Sequence, residues 1–155
     1  MEKIKLICVG KLKEKYLQEA ASEYSKRLLP YCHLKISEAE DERTPERASD
    51  KEMLQILDKE GDRILKQIGE EDYVIALAIQ GKQKDSLSFA KHLEELSVRG
   101  KSRIDFVIGG SLGLSGPVLN RADETLTFPH QLMRIVLLEQ IYRSYRIRSG
   151  APYHK

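Results

Sequence analysis

Three short segments of this sequence are apolar at nearly every position, and they restrict the fold more than any other feature. They are residues 4–9, 73–79 and 104–108. Apolar side chains on both faces of a strand indicate that helices cover both sides of the sheet, which is typical of parallel sheets. Stretches with a helical spacing of apolar residues separate these strands. The sequence therefore predicts an α/β fold in which helices flank a parallel sheet.

The remaining elements are predicted from spacing and from their end signals. A first helix is expected over about residues 13–29, and a further strand at residues 34–36. Ser49 and Glu52 have the spacing of a capping box and are expected to open a second helix. Ser86 is expected to cap a third helix, because serine side chains accept hydrogen bonds from exposed N–H groups at helix starts.

The last predicted helix, at about residues 129–148, is apolar on more than one face. One sheet cannot cover so wide an apolar surface. The sequence therefore predicts a homodimer that associates through this helix. The alternative is a fully buried central helix in a monomer, which is difficult to build in a small domain. The residues concerned are Leu132, Met133, Ile135, Val136, Leu137, Leu138 and Ile141.

Length and composition indicate one soluble domain. The chain has 155 residues, of which 41% are hydrophobic, and this suits a single domain spanning residues 1–155. Cys8 and Cys32 lack the spacing of metal ligands, so we expect buried thiols in a reducing compartment. Lys3 and Lys5 interrupt the first apolar run, which argues against a signal peptide. No apolar stretch approaches the roughly 20 residues of a membrane span. We therefore expect a cytoplasmic protein.

Motifs of several common chemistries are absent from the sequence. It has no G-x-G-x-x-G, no phosphate-binding P-loop, no H-E-x-x-H, no clustered Cys and His, and no G-x-S-x-G. We therefore expect no metal. The richest local signal is the glycines at positions 109, 110 and 113, which follow a buried strand. Open α/β sheets bind ligands at the carboxyl ends of strands, and glycine lets backbone approach a ligand closely. An ordinary strand-to-helix turn is the alternative interpretation.

Basic and aromatic residues are concentrated near the C-terminus. Five cations but only one acid, Glu139, follow Leu126, and tyrosines are interleaved with them. Arginine with aromatic neighbours suits contacts with RNA phosphates and bases. The alternative is a solvated helix face on which Glu139 and Arg143 pair at i,i+4 spacing. The terminal residues Tyr153 and His154 are either a frayed end or a group that contacts a base, and His154 can move a proton near neutral pH.

Six segments, taken in order, resemble a known family. The sequence is similar throughout its length to the ribosomal RNA large subunit methyltransferase H family. The combination of the last two segments is the specific part of the resemblance, whereas a single Gly-Gly pair is not specific. The segments are V-G-K-L-K at 9–13, K-E-G at 59–61, I-Q-G-K at 79–82, F-V-I-G-G-S at 106–111, T-F-P-H-Q at 127–131 and Y-H-K at 153–155.

This resemblance implies a fold and a reaction that spacing alone does not give. It implies a SPOUT-type α/β domain with a C-terminal trefoil knot, although knots are nearly absent among folds. It implies a homodimer that binds S-adenosylmethionine in the knot loops. The implied reaction is methylation of N3 of a pseudouridine in 23S ribosomal RNA within the assembled ribosome.

The resemblance also implies roles for individual residues. The cofactor is expected near the ends of three strands, and the RNA near the C-terminal helix and tail. His154 is expected either to accept the N3 proton or to hydrogen-bond the base. The expected cofactor residues are Leu77, Gly109, Leu126, Thr127 and Phe128, and the expected catalytic residues are Arg143, Tyr153 and His154.

The sequence departs from the family pattern between Leu126 and Thr127. Family members have several further residues there, typically rich in serine with a lysine and a methionine. Either the cofactor loop is shortened in this chain, or residues are missing from between these two positions. The second alternative is preferred, because mobile loops at ligand sites are common, whereas a true deletion would impair cofactor binding.

Two other functions are compatible with the same features. The main rival is a non-catalytic, ribosome-associated RNA-binding protein that retains the fold. The other is a nucleotide-binding module of the flavodoxin type with phosphate at Gly109 and Gly110. Methyl transfer from labelled cofactor to ribosomes discriminates between an enzyme and either rival.

Overall fold

A five-stranded parallel sheet forms the centre of the protein, as the sequence predicts. The computed structural model describes residues 1–127 and 133–151. Every described strand pairing is parallel, and the strand order is β2-β1-β4-β3-β5. The short strand β5 was not predicted, because two of its three residues are polar. The strands are β1 (Glu2–Val9), β2 (Cys32–Ala39), β3 (Tyr73–Lys82), β4 (Arg103–Ile108) and β5 (Glu124–Leu126).

Five described helices connect and follow these strands. The capping box of α2 is confirmed: Ser49 Oγ accepts from Glu52 N at 3.1 Å, and Glu52 Oε1 accepts from Ser49 N at 3.2 Å. The prediction that Ser86 caps α3 is wrong, because Asp85 accepts the hydrogen bond from Ser88 N at 2.7 Å. The helices are α1 (Lys15–Leu28), α2 (Asp50–Leu65), α3 (Ser86–Val98), α4 (Gly116–Arg121) and α5 (Met133–Arg148).

The sheet separates two apolar layers. Ile4 and Leu6 of β1 face the larger layer, which α1, α3 and α5 cover. Ile7 and Val9 face the smaller layer, which α2 and α4 cover. Alternate residues of one strand point to opposite faces, so burial on both faces explains the continuous apolar pattern of β1.

Both cysteines are buried free thiols, as expected. Cys8 and Cys32 lie in the larger layer. Burial raises the pKa of each thiol to about 11. Both thiols are therefore protonated at neutral pH and serve as small apolar residues.

A pair of buried carboxyl groups lies at the amino edge of the sheet. Asp105 on β4 is 2% exposed, and its Oδ2 has no hydrogen-bond partner among the described residues. Burial and the neighbouring Asp72 carboxyl raise the pKa of Asp105 to about 7. Burial also acts to raise the pKa of Asp72, but its bonds with Asp105 and Gly69 N and the charge of Lys5 lower it overall. Below about pH 7, Asp105 therefore holds a proton that it shares with an ionised Asp72.

The start of β1 contacts helix α5 directly. Glu2 begins β1, which lies inside the sheet between β2 and β4. Its Oε1 accepts hydrogen bonds from Tyr145 Oη at 3.0 Å and from Arg148 Nη2 at 3.3 Å. These contacts join the first strand to the last described helix.

Helix α5 packs between α1 and α3 over one face of the sheet. This packing buries Leu137, Leu138 and Ile141, so neighbouring helices cover much of the apolar surface that the sequence assigned to a dimer contact. No helix in the described ranges is long and apolar enough to cross a membrane. The predicted trefoil knot depends on the path of residues 128–132, which lie outside the described residues, and it stays a prediction.

Candidate functional site

The carboxyl ends of three neighbouring strands bring four of the expected cofactor residues together. Leu77 on β3 is opposite Ile108 on β4 and opposite Leu126 on β5. Gly109 comes directly after Ile108 and therefore lies near Leu77, and Thr127 comes directly after Leu126. Residues that lie far apart in sequence thus meet at one edge of the sheet, where ligands of open α/β sheets bind.

The glycine loop after β4 is a tight backbone turn. Gly113 N donates to Gly110 O at 3.1 Å, and Gly113 has a φ of +86°, which favours glycine. A Cβ at Gly109 would lie 2.2 Å from Gly113 O. The loop itself therefore requires glycine at position 109. The turn leads into α4, where Ser115 Oγ accepts from Val118 N at 3.4 Å.

A second close backbone approach explains the I-Q-G-K segment. A Cβ at Gly81 would lie 2.4 Å from the carbonyl carbon of Leu126, so only glycine fits there. The pairing of β3 with β5 shifts register between Leu77 and Lys82, and Thr127 N donates to Lys82 O at 2.9 Å. The chain runs directly from Leu126 into this bond. The interpretation that residues are missing between Leu126 and Thr127 stays a prediction.

The expected catalytic residues are only partly within the described residues. Tyr153 and His154 lie outside them, as does Phe128 of the expected cofactor set. Arg143 on α5 bonds Glu139 Oε1 through Nε and Nη2, each at 2.8 Å. The i,i+4 pairing weighed as an alternative for Arg143 is therefore formed. A role of Arg143 toward RNA stays a prediction.

Several other C-terminal cations and rings have partners within the chain. Arg134 donates to Glu38 Oε2 at 2.8 Å and to Gly10 O at 3.1 Å. Tyr145, one of the tyrosines interleaved with these cations, is 7% exposed and stacks on Tyr31 at a centroid distance of 5.4 Å, so its ring is not available to RNA. Its place in the core follows from α5 packing against α1.

A cavity of about 540 Å³ opens at the same edge of the sheet, beside the glycine loop. Two of the segments that carry the family resemblance, 9–13 and 59–61, meet there with the glycine loop, although no role was predicted for them. The cavity is lined by residues 9–11 and 13, residues 38–42, Glu60, Gly110 and Ser111.

Glu60 is a buried carboxylate in the wall of this cavity. It is 5% exposed, and its Oε2 accepts from Glu42 N at 2.9 Å. A Cβ at Gly110 would lie 3.4 Å from Glu60 Oε1, so this oxygen faces the glycine loop. The next residue, Gly61, lets α2 approach α4, because a Cβ there would lie 2.4 Å from Ser115 Oγ. The K-E-G segment thus packs against the glycine loop and the start of α4.

Sequence reasoning missed Glu60 as a functional candidate, although a signal was present. Ile56 and Ile64 flank it at i−4 and i+4 on α2, and both are buried. A carboxylate on the apolar face of a helix is costly unless it is bonded or functional. Among the described residues, no group of three or more His, Cys, Asp or Glu side chains is arranged to hold a metal.

Comparison with known proteins assigns the family. The model of the family described as "Predicted SPOUT methyltransferase" matches residues 2–154. Proteins named ribosomal RNA large subunit methyltransferase H from Enterococcus faecalis and Streptococcus thermophilus are 56% and 58% identical over 158 residues, covering 99% of each chain. The protein of that name from Clostridium tetani is 56% identical over 157 residues, covering 98% of this chain and 99% of its own. These alignments are longer than the 155 residues of this chain, so the relatives contain positions that it lacks.

Solved structures support the fold independently. A putative methylase family protein from Neisseria gonorrhoeae has a TM-score of 0.54 at 14% identity, covering 98% of this chain and 85% of its own. A probable methylase family protein from Haemophilus influenzae has a TM-score of 0.51 at 14% identity, covering 98% and 70%. The chain therefore belongs to the SPOUT methyltransferases and, within them, to the ribosomal RNA large subunit methyltransferase H family.

Proposed function

We propose that this protein transfers a methyl group from S-adenosylmethionine to N3 of a pseudouridine in 23S ribosomal RNA of the assembled ribosome. The observation that carries the proposal is the meeting of Leu77, Gly109 and residues 126–127 at one sheet edge, in a chain of this family. The large-subunit ribosomal RNA in the names of the relatives supports the substrate class. We further propose that the protein is a single domain that acts in the cytoplasm.

The residues at this edge fit a cofactor with an aromatic base and polar ends. Leu77 and Leu126 offer buried apolar surface, and Gly109, Gly110 and Gly113 offer peptide groups that carry no side chain of their own. Space is open beside Gly113, where an added Cβ would meet no atom within 4 Å. We propose that Leu77, Gly109, Leu126, Thr127 and Phe128 hold the cofactor.

Positioning supplies much of the rate in this proposal. When bound, S-adenosylmethionine would supply a methyl group on a positively charged sulfur, and in-line attack of N3 on the methyl carbon would break the S–CH3 bond and release S-adenosylhomocysteine. The N3–H bond must break for the N3–CH3 bond to form, so a proton leaves N3 for His154, another nearby group or water. Arg143 and Tyr153 are proposed to hold the RNA so that N3 and the methyl group are aligned.

We also propose that two copies of the chain associate through α5. Ile135 and Val136 are only partly buried against the core of their own chain, which leaves apolar surface near the start of α5. Burial of such surface by a second copy is favourable. Two C-terminal tails and two sheet edges are then available to one RNA target.

Methyl transfer from labelled S-adenosylmethionine tests the proposal directly. Intact ribosomes, separated subunits and naked ribosomal RNA are compared in parallel. We expect label at N3 of one pseudouridine, with intact ribosomes the preferred substrate. Cofactor binding without transfer to any of the three would favour the non-catalytic RNA-binding alternative.

A further inference from the structure

Glu60 is a buried residue whose Oε1 atom has no hydrogen-bond donor among the described residues. Within residues 1–127 and 133–151, the only hydrogen bond to its carboxylate comes from Glu42 N, to Oε2. The side chain lines the 540 Å³ cavity, and Oε1 is the oxygen nearer to Gly110. An N–H group of a ligand in the cavity would give Oε1 a hydrogen bond that the described part of the protein does not supply.

The charges around the cavity restrict which ligand it takes. Its wall carries five acidic residues, whereas its two lysines, Lys11 and Lys13, are exposed at the surface. Glu38 is bonded to Arg134, and Glu42 to Arg63, so those two acids have partners. The interior therefore disfavours phosphate but accepts a neutral group with N–H donors. A nucleobase fits this description, with its flanking phosphates outside, near the two lysines.

The place of the cavity is also suitable for the reacting base. It adjoins Gly110, and the proposed cofactor residue Gly109 is the preceding residue. A volume of about 540 Å³ is within the usual range for small-ligand pockets. Enzymes that modify a base in folded nucleic acid take it out of its stack and recognise its edge in a pocket.

Pseudouridine has one ring N–H that uridine lacks. Its ribose is attached to carbon 5, so N1 keeps a hydrogen, whereas N1 of uridine is bonded to the sugar. N3 is the methyl acceptor and must lose its hydrogen, which leaves N1–H as the ring donor. An ionised carboxylate only accepts hydrogen bonds and so complements this donor.

We propose that this cavity is the pocket for the target base, and that Glu60 determines specificity by accepting a hydrogen bond from N1–H of pseudouridine. This inference rests on the proposed function. Sites that bond a substrate N–H reject analogues without it, because the acceptor is then left buried and unpaired.

The variant Glu60→Gln tests the inference while preserving the fold. Its amide oxygen keeps an acceptor for Glu42 N, and its amide nitrogen presents a donor where Oε1 lay. Glu46→Gln is the matched control, because it makes the same change of charge at an exposed position of the segment before α2, outside the cavity lining. Substrates are ribosomes with pseudouridine at the target position and ribosomes from cells lacking the pseudouridine synthase, which carry uridine there.

We expect the unmodified protein and Glu46→Gln to prefer pseudouridine over uridine by about 10- to 100-fold in kcat/KM, the range for one hydrogen bond to a charged group. Glu60→Gln should lose most of this preference while binding S-adenosylmethionine with unchanged affinity. If Glu60→Gln lowers kcat/KM equally on the two kinds of ribosome, Glu60 has a structural role and the inference is overturned. Equal transfer by the unmodified protein to both ribosomes would overturn it even if the variant does not fold. No transfer to either ribosome by the unmodified protein would instead refute the proposed function.

Discussion

The buried carboxyl pair at the amino edge of the sheet makes stability depend on pH in a predictable direction. The pKa of Asp105 is raised from 3.8 to about 7 in the folded protein. Between these values the folded state keeps a proton that the unfolded chain releases, so the free energy of unfolding decreases as pH rises. Above about pH 7 both states have lost the proton, and the decrease ends. The lowered pKa of Asp72 acts below about pH 4, outside this window.

The size of the effect follows from the shift and from burial. Each unit of pKa difference corresponds to 1.36 kcal/mol, so a rise from 3.8 to about 7 sets an upper limit of roughly 4 kcal/mol. The part that falls between pH 5 and pH 8 is roughly 2–3 kcal/mol. Asp105→Asn removes the titration, because an amide cannot ionise and its nitrogen can donate to Asp72 as the protonated carboxyl does. We therefore expect the variant to be more stable than the unmodified protein at pH 8 by about 2 kcal/mol, with little difference at pH 5.

Urea denaturation at steps of half a pH unit from pH 5 to pH 8 measures the effect. The comparison requires that the slope of the unfolding free energy against urea concentration is the same at each pH. The difference between the two stability curves isolates Asp105, because every other titratable group is present in both proteins. Asp62→Asn, at an exposed position of α2, is the control and should leave the curve unchanged. Parallel curves for the unmodified protein and Asp105→Asn would refute the reasoning.

Three further predictions concern the cofactor edge, the dimer and the tail. Gly109→Ala should weaken S-adenosylmethionine binding at least tenfold in calorimetry, about 1.4 kcal/mol, because its Cβ would displace the 109–113 turn. The control Gly116→Ala has open space around its Cβ and should bind the cofactor normally. Ile135→Glu should lower the mass measured by light scattering from twice 17.8 kDa to that of one chain, and a monomeric unmodified protein at micromolar concentration would disprove the dimer. Deletion of residues 153–155 should leave the melting temperature within a few degrees and reduce methyl transfer by about a hundredfold, or 2.7 kcal/mol; full activity would exclude a role for the tail.

The sequence was sufficient to predict those strands and helices that form because of residues close together in the chain. The apolar runs of β1, β3 and β4 reflect burial on both faces, and the capping box of α2 depends on residues three positions apart. The strand β5 escaped prediction because pairing with β3, rather than its own composition, makes it a strand. The reason for glycine at position 109 was also hidden, since the clash comes from the carbonyl of Gly113.

For the site as well, single residues could be predicted from the sequence, but contacts between distant segments could not. Family resemblance named Leu77, Gly109 and Leu126, but their meeting depends on the register of three strands. The cavity beside them is formed by segments that the sequence separates by more than 100 residues, from Val9 to Ser111. No local pattern reports such a contact. Glu60 was detectable only as a charge at an apolar helical position.

The contact between Glu2 and α5 has a consequence for the order in which this protein folds during its synthesis. The strand β1 leaves the ribosome before the other described strands, but it lies between β2 and β4, and its Glu2 bonds Tyr145 and Arg148 of α5. Contacts over such sequence separations slow folding, because the chain between them must be ordered before they form. Until α5 is available, the sheet face that it covers exposes apolar side chains, which are prone to aggregate. The nascent chain therefore completes its core only when its last helix has been made.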